Sequence, residues 1–129
     1  MYHVLPKRNI TLQKLDSGDK TFTVTLCKTG NSLNMLPYAF RLIMLPAFNS
    51  HAKAGFIDIV YNTRSEASFL CSNVCGDISN VRNVQYNGDK YIACDISVNQ
   101  FGANTLYVVG LHNDLSEIMD VTGKFSEIK

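Results

Sequence analysis

A chain of 129 residues with 12 basic and 11 acidic side chains, net charge +1, fits one domain and is long enough to bury a core without staples. Its basic residues are scattered, the densest pair being Lys7-Arg8, so it lacks the basic stripe that a duplex nucleic-acid binder carries. No apolar run reaches the ~20 residues of a membrane helix; the longest, YAFRLIMLPAF at 38–48, is interrupted by Arg41 and Pro46.

The N-terminal MYHVLPKRN lacks the apolar stretch of a secretory signal. The expectation is a protein that stays in the cytosol where it is made, or leaves inside an assembled particle. Residues 1–15 are irregular in pattern and suit either an arm that docks on a neighbour or an edge strand. Residues 16–129 are expected to form a single sandwich domain.

TFTVTLCK (21–28) alternates: Phe22, Val24 and Leu26 on one face, Thr21, Thr23 and Thr25 on the other, which describes a half-buried strand with a wet threonine face. KTGNSLN follows as a loop of turn formers. YAFRLIML (38–45) is apolar on both faces, and Pro37 and Pro46, which donate nothing to a central ladder, bound it. GFIDIVYN (55–62) puts Ile57, Ile59 and Tyr61 on one face and Phe56, Asp58 and Val60 on the other. ASFLC (67–71) is a weaker strand. VRNVQY and KYIACDISV flank an Asn87-Gly88 pair, and NTLYVVGL (104–111) is a further strand. IMDVTGKFSEI (118–128) closes the set, with one helical turn in NDLSEIM, capped by Asn113 or Asp114, as the alternative. Seven or eight short strands separated by Gly, Asn and Ser clusters, with no strand–helix alternation, predict an all-β fold: an antiparallel, jelly-roll-like β-sandwich.

Asn-Gly between strands is the strongest short hairpin signal, because both residues tolerate positive φ. A two-residue loop sets Val84 opposite Tyr91; a three-residue loop, 87–89, sets it opposite Ile92 and joins it to the apolar set Ile92, Cys94, Ile96 and Val98. Both registers stay open, and the turn reads first as a folding device.

Four cysteines, Cys27, Cys71, Cys75 and Cys94, allow two disulfides, but without an export signal reduced thiols are expected. Cys94 is in phase with core residues. Cys71 and Cys75 do not have the spacing of a zinc knuckle, and no second pair completes a site. Ser50, His51 and Asp58 are candidates for a hydrolytic triad but sit in no nucleophile-elbow signature. His112, Asp114 and Glu117 cluster in GLHNDLSE, where a solvated turn is the plainer reading. Asp58 and Asp95 are the acids within strands; both lie out of phase with the apolar residues and are expected to face solvent or a subunit contact. No glycine-rich phosphate loop is present, and VRNVQYNGDKY is the nearest approach to a stacking surface for single strands.

The runs GFIDIVYN, GDKYIACDIS and NTLYVVGLHND, with short polar turns between them, resemble phage tail-fibre heads, head fibres and related virion-surface β-sandwiches over about the last two thirds of the chain. The resemblance implies a non-enzymatic virion protein, assembled in the host cytoplasm, that forms a homotrimer and meets other virion proteins and a host-surface glycan or protein. It implies no cofactor, no nucleic acid partner and no membrane insertion, and it carries over no catalytic, metal or binding residue. A full fibre has a longer N-terminal shaft, so the expected role is a small fibre-tip, attachment or capsid-decorating protein, or an isolated domain of one. A carbohydrate-binding or adhesion module is the second reading. A small β-barrel enzyme using His51 or His112 is the third.

Overall fold

In the computed structural model, which describes residues 8–28, 37–48, 53–62, 69–110 and 118–128, every regular element is a strand. No helix among the described residues is long and apolar enough to cross a membrane. Eight strands have at least seven residues: β1 (Arg8–Lys14), β2 (Lys20–Lys28), β3 (Pro37–Phe48), β4 (Gly55–Asn62), β5 (Phe69–Gly76), β6 (Ile78–Tyr86), β7 (Asp89–Val98) and β8 (Gly102–Gly110). Two short ones follow, β9 (Met119–Asp120) and β10 (Ser126–Glu127). All pairings are antiparallel. Sheet A has the order β1-β8-β3-β4-β5, and sheet B the order β10-β6-β7-β2-β9. The two form an antiparallel β-sandwich.

The nesting of β1 on β8 and of β2 on β7 is that of a jelly roll, in which a two-stranded ribbon passes from one sheet to the other. The departure is in the middle of the chain, where β3, β4 and β5 run as a meander within sheet A. Between the sheets lie the alternate residues the sequence marks: Phe22, Val24 and Leu26 from β2, Ile57 and Ile59 from β4, and Ile92, Cys94, Ile96 and Val98 from β7. Each fully buried aliphatic side chain here contributes about 1.5–3 kcal/mol.

Three local findings revise the sequence reading. β3 takes in both of its bounding prolines, although it is a central strand. Pro46 is tolerated because the β3·β4 ladder ends at Met44↔Gly55 and the β3·β8 ladder shifts register between Pro46 and Phe48; an irregularity of this kind is where a residue with no N–H fits. The hairpin takes the two-residue loop, with Val84 opposite Tyr91 and Tyr86 opposite Asp89. Asn87 and Gly88 have φ of 54° and 86°, as a type I′ turn requires. Residues 118–128, expected as one strand, divide into β9 and β10 at opposite edges of sheet B.

Gly76 sits where β5 turns into β6, with φ +90°, and a Cβ there would lie 2.2 Å from the Ala54 carbonyl oxygen. Gly88 is equally left-handed but open, with nothing within 4 Å of its would-be Cβ. Gly88→Ala is therefore expected to cost about 1 kcal/mol, from backbone strain alone. Gly76→Ala adds a collision with backbone and should cost more than about 3 kcal/mol. Urea unfolding of the two variants checks this; equal costs would disprove the close approach of β5 to the chain before β4.

Candidate functional site

The two outer faces of the sandwich differ, and the difference begins at one irregularity. In the β6·β7 ladder, Ile78 and Ser79 pair with Ile96 and Asp95, and pairing resumes at Arg82↔Ala93. One extra residue is thus accommodated around Asn80, whose φ is 59°. Because side chains alternate, the slip reverses the faces: Ile78 points into the main core, but Arg82 and Val84 point out.

Arg82 there becomes a hub. Its Nη1 donates to Asp95 Oδ1 at 3.1 Å and to the Asn80 carbonyl at 2.8 Å, and its Nη2 lies 2.9 Å from Glu127 Oε1. Its guanidinium lies 5.4 Å from the centroid of the Phe125 ring. Burial opposes the Arg82 charge, but the hydrogen bonds it donates to Glu127 and Asp95 outweigh it and raise the pKa. Asp95 also accepts from Thr23 Oγ1 at 2.8 Å and Asn80 Nδ2 at 2.9 Å. It is half-buried in this network, not solvent-facing as the alternation suggests.

The network fastens a strap, residues 119–127, across the outside of sheet B. One end pairs with the β2 edge, where Val121 N–H donates to the Thr23 carbonyl at 2.9 Å and Thr23 N–H to Thr122 Oγ1 at 3.0 Å. The other pairs with the β6 edge. Beneath it Val84, Tyr91 and Ala93 form a second apolar cluster against Tyr86, Met119 and Phe125. Thr23 and Thr25, expected on a wet face, are buried under this strap.

Sheet A has no such cover among the described residues. Its outer face carries Ile43 of β3 flanked directly by Phe56 of β4 and Tyr107 of β8, with Leu45 one step along. Leu45 and Tyr107 are 49% and 37% exposed. At the end of the same sheet the β1·β8 ladder stops at Lys14↔Gly102, and the next residues, Leu15 and Phe101, are exposed. Their turns are braced together: Gly18 N–H donates to Gln100 Oε1 and Gln100 N–H to Asp19 Oδ1, both at 2.9 Å. Within the face, Arg41 and Asp58 pair across β3·β4 through contacts of 2.5 and 2.8 Å. The bonds from Arg41 hold the Asp58 carboxyl below its usual range, and those to Asp58 raise Arg41.

Of the hydrolytic candidates, Asp58 is tied to Arg41, while Ser50 and His51 lie outside the described residues, as do His3, His112, Asp114 and Glu117. Asp58 and Asp95 are on the outer faces of opposite sheets, more than about 10 Å apart, and so cannot act as a carboxylate pair on one glycosidic bond. No group of three or more His, Cys, Asp or Glu suited to a metal ion occurs among the described residues. Cys71 and Cys75 lie in β5, four residues apart in an extended strand, hence about 13 Å, too far for a disulfide. Cys27 and Cys94 are buried free thiols. Burial pushes Cys27 up to about 12, against a small opposing hydrogen bond from Ile92, and raises Cys94 as well.

No protein-family model and no curated protein matches the chain. It is similar to two solved phage tailspikes. One is the tailspike protein of Acinetobacter phage vB_ApiP_P1, with a TM-score of 0.45 and 10% identity, covering 93% of this chain and 23% of that one. The other, from Acinetobacter baumannii bacteriophage Fri1, is a capsular polysaccharide depolymerase; the TM-score is 0.41 and identity 9%, covering 88% of this chain and 19% of that one. This chain therefore spans about a fifth to a quarter of their length.

Arg82→Ala strips a donor from half-buried Asp95 and releases Glu127, and is expected to cost about 1–3 kcal/mol. Amide hydrogen exchange at Val121 should accelerate with it, while Glu127→Gln, at an exposed partner, costs under about 1 kcal/mol. Unchanged exchange in Arg82→Ala would refute the strap. For the thiols the sign follows from the raised values. Above pH 9, the ordinary thiol value, the unfolded chain loses thiol protons that folded Cys27 keeps up to about 12. Stability should therefore fall as pH rises through that window, and a Cys27→Ser/Cys94→Ser variant should show a shallower fall in pH-dependent denaturant midpoints.

Proposed function

We propose that this chain is a non-catalytic structural module of a phage virion surface, of the fibre-tip, attachment or capsid-decorating kind, that works by assembling with other copies of itself. The observation that carries the reading is the asymmetry of the two outer faces. The outer face of sheet B is covered by its own chain: a two-residue strand pairs on each edge, and Val84, Tyr91 and Ala93 lie beneath the strap between them. Sheet A presents Ile43, Leu45, Phe56 and Tyr107 as one patch in its middle strands. A contiguous apolar patch rimmed by polar residues marks a contact surface.

The non-catalytic part is supported by the carboxylates of Asp58 and Asp95, each engaged by a guanidinium and facing away from the other. The virion setting rests on the resemblance of the strand runs GFIDIVYN, GDKYIACDIS and NTLYVVGLHND to virion-surface sandwiches. A host-surface glycan or protein and other virion proteins are the proposed external partners.

Multi-angle light scattering tests the assembly, with an oligomer as the expected result. Leu45→Lys with Tyr107→Lys should weaken association at least about tenfold while leaving the thermal midpoint within a few degrees, because neither side chain supports the core. A strict monomer at high concentration would overturn the reading, and a monomer that binds on a glycan array would transfer the protein to the adhesion class.

A further inference from the structure

The patch on sheet A is bordered along its strands by a charge pair. Arg41 and Asp58 are directly opposite in the β3·β4 ladder, 52% and 41% exposed, and the guanidinium lies 5.0 Å from the centroid of the Phe56 ring. An ion pair so exposed adds little to folding. What it does supply is a positive and a negative group side by side, a pattern that is its own complement when reversed.

We propose that a second copy of this chain packs face to face on sheet A about a twofold axis running along the strands between β3 and β4, so that Arg41 of each copy meets Asp58 of the other. The proposal rests on the assembly reading above and names its contact. Such a rotation exchanges the places of β3 and β4 and leaves the position along the strands unchanged. Each directly opposed pair is then laid on itself in reverse. Arg41↔Asp58 is one such pair and Ile43↔Phe56 is another, so the operation that matches the charges also seats Ile43 of one copy on Phe56 of the other. The interface is isologous and closes as a pair, a symmetry other than the homotrimer that the resemblance to virion-surface sandwiches implies.

The available area suits this occupant. Five strands at a spacing of about 4.8 Å, each near eight residues at about 3.3 Å, give a face of roughly 600 Å², close to the ~800 Å² per partner of a stable interface. The pair then contributes register: a copy shifted by two residues, so that Arg41 falls on Phe56 and Asp58 on Ile43, takes the ion pair out of water without a new charged partner.

Sedimentation velocity over a concentration series compares the wild type, Arg41→Asp, Asp58→Arg and an equimolar mixture of the two variants. The wild type is expected to associate. Each reversal alone, which presents two like charges to two like charges, should weaken association at least about tenfold. The mixture should recover it, because an all-acidic pair then meets an all-basic one. Single reversals that associate like the wild type, or a mixture no tighter than its components, overturn the twofold pairing and leave assembly standing; a threefold ring, whose contacts cannot alternate, gives that second result. A wild type that stays monomeric overturns both. Should a reversal lose the β circular dichroism spectrum, Arg41→Gln and Asp58→Asn replace the pair, with the same tenfold weakening expected of each and undiminished association overturning the proposal.

Discussion

The extra residue accommodated around Asn80 decides which face of β6 Arg82 occupies, and the rest of the architecture follows from that choice. With unbroken alternation from Ile78, Arg82 and Val84 would both point between the sheets. A guanidinium there would have to leave water with no acid among the described residues of the inner face to receive it, at a cost of several kcal/mol. The slip moves it outward, where Asp95 and Glu127 receive it and the Phe125 ring lies against it. It also moves Val84 outward, and an apolar side chain on an outer face needs a cover. The strap supplies that cover and is held by the same arginine that the slip displaced.

Closing sheet B in this way has consequences for its edges. An unpaired strand edge offers N–H and C=O groups to any passing chain. β9 pairs with Val24 and Thr25 on the edge of β2, and β10 with Val84 and Gln85 on the edge of β6, so the sheet's own chain covers part of each place where a foreign strand would add. Its outer apolar cluster of Val84, Tyr91 and Ala93 is covered as well. Sheet A keeps an apolar patch on its outer face, in its middle strands.

Much of the architecture was legible because period-two alternation reports burial on one face. Phe22, Val24, Leu26, Ile57, Ile59, Ile92, Cys94, Ile96 and Val98 all reach the core that alternation assigns to them. The errors share a cause. Thr23, Thr25 and Asp95 stand on the face that alternation calls wet, and all three are covered or engaged by residues distant in the chain. A strand's pattern records that one face is greasy; it does not record that a later segment returns over the other. Asp58 and Asp95 give the same local signal, an acid out of phase in an apolar strand, yet one is exposed with a single arginine and the other is half-buried among three donors. The bulge itself has no signature in VRNVQY, and so neither Arg82 nor the register of Val84 could be placed from the sequence. The exposed patch of sheet A was only half visible, in the apolar residues on both faces of 38–45 and 55–61. A charge set inside each of those runs, Arg41 in AFRLIM and Asp58 in FIDIV, is the signal that would have pointed to the ion pair beside it.

That ion pair bears on what an apolar patch with two charges beside it can do. A uniformly apolar sheet face is sticky in every register, because one aliphatic side chain fits against another almost as well one step along. Ile43, Leu45, Phe56 and Tyr107 by themselves would favour contact without choosing its geometry. A fixed guanidinium–carboxylate pair would change the comparison between registers more than the affinity of the best one: in a matched register each charge would gain the opposite charge of the other copy, while in a shifted one the pair would lose water and keep only itself. The bidentate geometry of Arg41 on Asp58 sharpens this, since a planar fork accepts few orientations. Arg41 also lies over the Phe56 ring, so the charge and the apolar surface occupy one site and cannot be satisfied separately. Half-buried Arg82 thus fastens the chain's own strap over one outer face, while exposed Arg41 leaves an ion pair beside the apolar patch of the other.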